Sequence, residues 1–276
     1  MKALCAAAAL VLIVSPAFAQ STTSYEVYAV RFTGPGSAPL SEAAVGGDPR
    51  QTVAACYMVW LLKGSNGKNV LVDTGFIQPP DGKDKTYLRP DAALARVRVS
   101  PDDIADVIIT HPHWDHIGGI DLFPKATLWM QKDDYDYFVG AAWQQGAMSG
   151  GFQKEDVRKI VEANLSGRLR LVKGDNLEIL PGIRAFTGSR HTWESQYLVV
   201  TTRTDPVLLA SDAIWFYYNL DHLVAIPTYT FDAAAYVQAM KRMTTLVPNR
   251  DLIIPGHDAA VFEKFPRVAD GVIRIR

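Results

Sequence analysis

Between Thr110 and His116 the chain places three of its six histidines and a carboxylate, in the order Thr110-His111-Pro112-His113-Trp114-Asp115-His116. Imidazoles and carboxylates are ligands for first-row divalent cations. Two histidines one residue apart on an extended turn aim both rings at one point, and the Asp and His that follow aim at a second point close by. The spacing predicts two metal ions, not one.

A hydrolytic dinuclear site needs about three protein ligands per ion and a group that bridges the pair. His191 stands in Gly188-Ser189-Arg190-His191-Thr192 after an apolar run. Asp212 ends Val207-Leu208-Leu209-Ala210-Ser211-Asp212, and His257 ends Leu252-Ile253-Ile254-Pro255-Gly256-His257. Each follows a strand-like stretch, where a loop can hold it. A fourth such stretch, Asn69-Val70-Leu71-Val72-Asp73-Thr74-Gly75, brings Asp73 to the same kind of position. A carboxylate there commonly orients a ligating imidazole from behind it. Closed structural zinc sites usually use cysteine thiolates, so an all-His/carboxylate set reads as catalytic. A surface histidine patch would leave four downstream positions as coincidence.

Taken in order, these residues resemble the metallo-β-lactamase superfamily: Asp73-Thr74-Gly75, the His-x-His-x-Asp-His cluster followed by Gly118-Gly119, then His191, Asp212 and Pro255-Gly256-His257. The layout is most similar to the N-acyl homoserine lactonase type, which carries the strand-borne Asp that class B β-lactamases generally lack. The resemblance implies an α/β (α+β) fold, a four-layer αββα sandwich of two mixed β-sheets flanked by helices. It implies that His111, His113 and His191 hold one ion, that Asp115, His116 and His257 hold the other, and that Asp212 bridges them. Two cations about 3.5–4 Å apart would share a water and lower its pKa from about 15.7 to near 7. That bridging hydroxide is then the nucleophile; one ion polarises the carbonyl and the other stabilises the departing alkoxide, so no covalent intermediate is needed. Asp115 is the candidate to carry a proton to the leaving oxygen. Zinc suits these ligands, and iron, manganese or cobalt can occupy such sites.

Strands have to position these residues. Residues 25–32 read as a first strand, and 54–63 with 69–73 as a hairpin across Gly64-Ser65-Asn66-Gly67. Ser100-Pro101-Asp102-Asp103 reads as a capped short helix feeding the strand Val107-Ile108-Ile109. Residues 168–172, 177–180, 197–202 and 207–210 read as further strands. Residues 232–247 read as a helix with Val237, Met240, Met243 or Thr244, and Val247 on one face and Pro248 stopping it. This patterning alone gives only mixed α and β; two mainly antiparallel sheets packed face to face would suit it, and the absence of a linker gives one catalytic domain over residues 20–276.

Lys2, the apolar stretch Ala3 to Val14 and Ser15-Pro16-Ala17-Phe18-Ala19 read as a secretory signal peptide over residues 1–19, cut after Ala19. The stretch is too short for a membrane anchor, and Cys5 is too early to be a lipoprotein cysteine. Removal of 19 of the 276 residues leaves 257, in the range of one large domain exported to the periplasm or secreted. Loss of Lys2 takes the formal net charge from −1 to −2. One cysteine remains, Cys56, within an apolar run that reads as core, so no internal disulfide is expected. There is no basic block or stripe to attract nucleic acid. A homodimer stays open.

The segment 129–165 carries Tyr135, Tyr137, Phe138, Trp143 and Phe152 around Gly146 to Gly151, and reads either as a helical flap over an apolar cleft or as ordinary packing. Trp114 and Trp193, held near ligands by their neighbours, are candidates for the cleft wall together with Phe152. The resembling lactonases commonly have a tyrosine three residues after the bridging Asp; here Trp215 occupies that position, and an indole donates one hydrogen bond but cannot act as an acid. Tyr217 and Tyr218 are the candidate replacements, and either reads equally well as packing. His222 reads as a surface histidine or one behind a ligand. The expected substrate is a lactone or carboxylic ester, first an N-acyl homoserine lactone in a quorum-quenching role. The alternatives are an organophosphate triester or aryl ester, and a metal-binding relative without turnover.

Overall fold

The computed structural model describes residues 23–79, 82 and 84–276. The expected signal peptide, with Lys2 and Cys5, lies outside the described residues.

The chain opens with β1 (Tyr25–Pro39), α1 (Leu40–Ala43), β2 (Thr52–Gly64), β3 (Asn69–Val72), α2 (Pro90–Leu94) and β4 (Ile104–Ile108). Next come α3 (Trp114–Ile117), β5 (Thr127–Gln131), α4 (Lys132–Val139), α5 (Lys154–Leu165) and β6 (Leu169–Val172). Then follow β7 (Leu177–Leu180), β8 (Ile183–Phe186), β9 (Tyr197–Val200), β10 (Val207–Ser211), α6 (Tyr217–His222) and α7 (Ala233–Met243). The chain ends with β11 (Ile253–Pro255), α8 (Val261–Lys264), β12 (Arg267–Ala269) and β13 (Val272–Arg274).

These strands form two sheets, ordered β12-β13-β1-β2-β3-β4-β5-β6 and β11-β10-β9-β8-β7. Both are mixed. In the larger sheet β3 to β6 run parallel, with helices in the crossovers, and the other pairs are antiparallel. In the smaller sheet only β10 and β11 are parallel.

Alternation along each strand explains the layering, because successive side chains face opposite sides of a sheet. Tyr28, Val30 and Phe32 of β1 and Val59 and Leu61 of β2 pack outward against α2, α4 and α5. Val27 and Ala29, with Met58, Trp60 and Leu62, point inward to meet Ala185, Leu198, Val207 and Leu209 of the smaller sheet. On the far face Leu208, Ala210 and Tyr197 pack under Tyr236, Met240 and Met243 of α7. The result is helix, sheet, sheet, helix, the four-layer αββα sandwich.

Local differences from the sequence reading have local causes. β1 runs on to Pro39 through register shifts at Thr33 and Gly36, where glycine tolerates a bulge. Ser100 to Asp103 forms one 3₁₀ turn instead of a helix: the Asp103 carboxylate accepts from the Ser100 N–H and hydroxyl, and the backbone passes directly into β4. α7 stops at Met243, because the Thr244 and Thr245 hydroxyls donate to the Lys241 and Arg242 carbonyls and satisfy the helix end early. Trp129 lies in β5 and not in a flap, while Tyr135 and Phe138 of α4 are core.

Trp60 is fully buried between the sheets. Trp60→Ala should cost about 3–5 kcal/mol, the usual range for removing a large buried aromatic, read from the denaturant midpoint; a loss below about 1 kcal/mol would contradict this inter-sheet packing.

Candidate metal centre

The site residues leave the C-terminal ends of β3, β4, β8, β10 and β11, where the two sheets meet at one edge. Parallel pairing of β3 with β4 and of β10 with β11 brings these ends together. Asp73, Arg190 and Ser211 take left-handed backbone angles, with φ of 60°, 55° and 46°. Such conformations are uncommon away from glycine and concentrate at functional sites. Here each turns the chain at a strand exit so that Asp73, His191 or Asp212 faces inward. The 73–75 segment is tied to the histidine cluster: the Thr74 N–H and hydroxyl both donate to the His116 carbonyl at 2.8 Å. Gly119 permits this approach, since a Cβ there would lie 2.3 Å from the Thr74 carbonyl oxygen. Across the sheets, Gln196 donates from its backbone N–H to Thr110 and from its side chain to Ile109.

Two groups of donor atoms result. His111, His113, His191 and Asp212 form one, and Asp115, His116 and His257 the other, each with its atoms within 4.8 Å of one another. In the first group His113 Nδ1 lies 2.9 Å from His111 Nε2 and 3.0 Å from His191 Nε2. Asp212 Oδ2 lies 3.3 Å from His191 Nε2 and 3.7 Å from His111 Nε2. Its other oxygen, Oδ1, lies 3.0 Å from His257 Nε2 and 3.2 Å from His116 Nε2. Asp115 Oδ2 completes the second group at 3.3 Å from His116 and 3.5 Å from His257. One carboxylate thus presents one oxygen to each group.

The donors fit divalent cations. Ligands on bonds of about 2.1 Å at tetrahedral angles stand about 3.4 Å apart, close to the separations above. His116 Nε2 and Asp212 Oδ1 are buried and have no hydrogen-bond partner among the described residues, as expected of atoms shaped to face a cation. Burial, reinforced by the neighbouring rings, holds His111 well below the usual imidazole range and His113 at about 3. Both are therefore neutral, with lone pairs free. At His116 burial pulls the same way but is outweighed by Asp115, Asp212 and Asp73, which raise it; Asp212 likewise overcomes burial to raise His257. Protons compete with a cation in the second group, so metal uptake there releases them.

Outer partners fix which ring nitrogen points inward. Asp73 Oδ2 faces His116 Nδ1 at 2.8 Å, and Asp73 also accepts from the Thr110 N–H and hydroxyl. Thr110 Oγ1 faces His111 Nδ1 at 3.0 Å. His257 Nδ1 faces the Cys56 carbonyl at 3.2 Å. The Cys56 thiol is buried, and burial pushes it up to about 12. Its side chain behaves as core while its backbone serves the site, a contact with no sequence signal.

A cavity of about 290 Å³ opens over Asp115, Asp212 and His257. Trp114 and Trp215 line it. Phe152, Trp193 and Tyr218 do not. Phe152 backs His113, with ring centres 5.4 Å apart. Trp193 stacks on Tyr137 at 4.9 Å under Arg190 and faces outward. Tyr218 stacks on the exposed His222. Tyr217 is turned away and its hydroxyl is buried without a partner. The cavity instead gains Tyr57, Tyr229 and Glu42. Tyr57 follows Cys56 on β2, and Tyr229 enters through a left-handed residue at φ 55°; neither carried a motif. Gly151 also reaches the wall, and a Cβ there would strike His113 at 2.5 Å.

Comparison with known proteins gives a consistent picture. The chain matches the metallo-beta-lactamase superfamily over residues 50–257. An N-acyl homoserine lactonase of Bacillus sp is 26% identical over 167 residues, 60% of each chain. N-acyl homoserine lactonase AttM of Agrobacterium fabrum is 27% identical over 177 residues, 62% of this chain and 64% of that protein. The match spans about three-fifths of these curated relatives' length. Among solved structures, an N-acyl homoserine lactone hydrolase with N-hexanoyl-L-homoserine bound at its catalytic metal centre aligns with a TM-score of 0.68 at 22% identity, covering 90% of this chain and 98% of that one. AidC, a dizinc quorum-quenching lactonase, aligns with a TM-score of 0.63 at 15% identity, over 86% and 92%. At these identities the likeness is one of fold.

Asp73→Asn should leave the chain folded and weaken cation binding by about 10–100-fold, the usual effect of losing an outer partner of a ligating imidazole. Chelator competition reads this, and an unchanged affinity would remove Asp73 from the site. Asp134 on α4 supplies a pH test. It is buried, accepts from the Thr192 hydroxyl and the Glu194 N–H, and burial pushes it from 3.8 up to about 7. The folded form keeps this proton to higher pH than the unfolded chain, so its contribution to stability is full below about pH 4 and lost as pH rises to about 7. Thermal unfolding across that window should show Asp134→Asn gaining on the unsubstituted protein as pH rises; parallel curves would refute the shift.

Proposed function

The chain belongs to the metallo-beta-lactamase superfamily, and from that premise we propose that it is a metal-dependent hydrolase that opens a lactone or carboxylic ester, with an N-acyl homoserine lactone as substrate. The observation that carries this reading is the Asp212 carboxylate, one oxygen toward each of two donor groups at the floor of a cavity. Two divalent cations, zinc by ligand type, would supply activated water at neutral pH and Lewis-acid polarisation of the substrate carbonyl.

The chain's own residues do the rest. His111, His113 and His191 would hold one ion, Asp115, His116 and His257 the other, and Asp212 would face both. Asp115 lines the cavity and faces both His116 and His257 through Oδ2, so its carboxylate carries the proton to the leaving alcohol. Trp114, Trp215 and Phe216 form an apolar wall that limits water around the reacting bond.

Charge narrows the substrate. No lysine or arginine lines the cavity among the described residues, and Glu42 stands at its rim. This favours an uncharged ester over one that carries its own carboxylate or phosphate. Lactones fit, and so do neutral phosphotriesters and aryl esters, which form the second reading. We also propose export after cleavage near Ala19, on the pattern of residues 2–19; the N-terminal mass of protein recovered from the periplasm or medium tests it.

The metal-loaded protein should release acid from a homoserine-lactone series of increasing acyl length, and Asp212→Asn should lower the rate by about 100-fold or more, beyond the 10–100-fold effect of an outer partner. Two bound metals with no acid release from any member would drop the lactone assignment and leave neutral phosphotriesters and aryl esters to be tried. Failure of those too would identify a binding protein without turnover.

A further inference from the structure

Trp215 stands out among the cavity aromatics because its Nε1–H donates to Asp212 Oδ2 at 2.6 Å. That oxygen faces His111 and His191. The opposite oxygen, Oδ1, faces His116 and His257 and has no hydrogen-bond donor among the described residues. The single N–H therefore reaches the bridging carboxylate from one side only.

We propose that Trp215 is a positioning residue that makes the two metal positions unequal. This rests on the reading of Asp212 as the bridge between two cations. An ionised carboxylate oxygen has about two lone-pair directions, and the indole N–H occupies one of those on Oδ2. A charge-assisted hydrogen bond draws electron density from the oxygen that accepts it. Oδ2 is thereby the weaker donor, toward the three-histidine position. Oδ1 keeps its full basicity toward the position formed by Asp115, His116 and His257. The same bond pins the carboxylate plane, so that neither oxygen swings away from its group.

The indole is well placed to hold this geometry. Its ring meets His257 edge to face at 5.5 Å and Phe216 at 6.4 Å. Its backbone carbonyl accepts from the His257 N–H at 3.0 Å, and the neighbouring Ile214 carbonyl accepts from Gly256 at 2.8 Å. The turn after β10 and the loop after β11 are thus one unit, with the indole lying between them and the carboxylate. Because an indole has a single N–H, Trp215 contributes its face to the cavity and no donor to a substrate oxygen.

The test measures zinc affinity by chelator competition on the full chain, with single positions isolated by His257→Ala, which leaves the three-histidine position, and His113→Ala, which leaves the other. Adding Trp215→Phe should tighten zinc severalfold in the His257→Ala background and leave it unchanged in the His113→Ala background, opposite in sign to the usual loss of an outer partner, because here the partner withdraws density from the ligating oxygen. Equal changes in both, no change in either, or weakening confined to the three-histidine position would each overturn the proposal. Absence of zinc binding in the unsubstituted protein would instead overturn the metal reading beneath it. A second measurement needs no variant at residue 215. With ¹⁵N-labelled indoles, one N–H resonance should lie downfield of the others and move when zinc fills the His257→Ala protein. Indole signals that ignore that zinc would also refute the role.

Discussion

Five imidazoles and three carboxylates, those of Asp73, Asp115 and Asp212, converge at one edge of the sandwich, and almost all are out of contact with water. Burying one uncompensated charge costs several kcal/mol, so such a cluster survives only if each charge faces another. Asp212 is the centre on which this depends. Its two oxygens face four imidazoles, and without it the two donor groups would have nothing in common. The second constraint is mechanical. Left-handed residues at the exits of β3, β8 and β10 cost of order 1–3 kcal/mol each, and the core between the sheets must offset that cost. Rigidity of the sandwich and accuracy of the site are therefore the same property seen at two scales.

What the sequence made legible followed from local rules. The donor atoms of His111 and His113 fall in one group and those of Asp115 and His116 in the other, because the first two precede α3, His113 in extended backbone, and the last two lie in its first turn. Asp73, Asp212 and His257 could be found because each follows an apolar run that forms a buried strand. Other features depend on approach between distant segments and leave no local trace. The Cys56 carbonyl meets His257 across 201 positions. Tyr57 and Tyr229 reach the cavity only through the path of the backbone, whereas Trp193, adjacent to a ligand loop, is drawn outward by its stack on Tyr137. Proximity in sequence to a ligand fixes where a backbone is, not which way its side chain turns.

Trp215 illustrates the same limit from the other side. The resemblance to lactonases implies a phenol at this position, and by chemistry alone an indole there reads as loss of a group. In the folded chain the indole N–H has a partner, the bridging carboxylate. Its one N–H is spent on the floor of the cavity and not on its contents. Hydroxyl groups that remain at the wall belong to Tyr57 and Tyr229, on different strands and loops from the one that carries Asp212.

Charge closes the argument about what the cavity can accept. Two divalent ions would bring four positive charges to the three carboxylates of Asp73, Asp115 and Asp212, leaving the loaded centre with little net charge before any substrate arrives. A substrate with its own negative charge would need a cationic partner nearby, and the walls offer Glu42 in place of one. An uncharged ester needs no such partner. Its carbonyl takes up charge only as the bond to the attacking oxygen forms, which is when preorganised positive charge lowers the barrier most. The arrangement that makes this centre tolerable to bury is thus the one that, on the proposed reading, would suit it to substrates without charge.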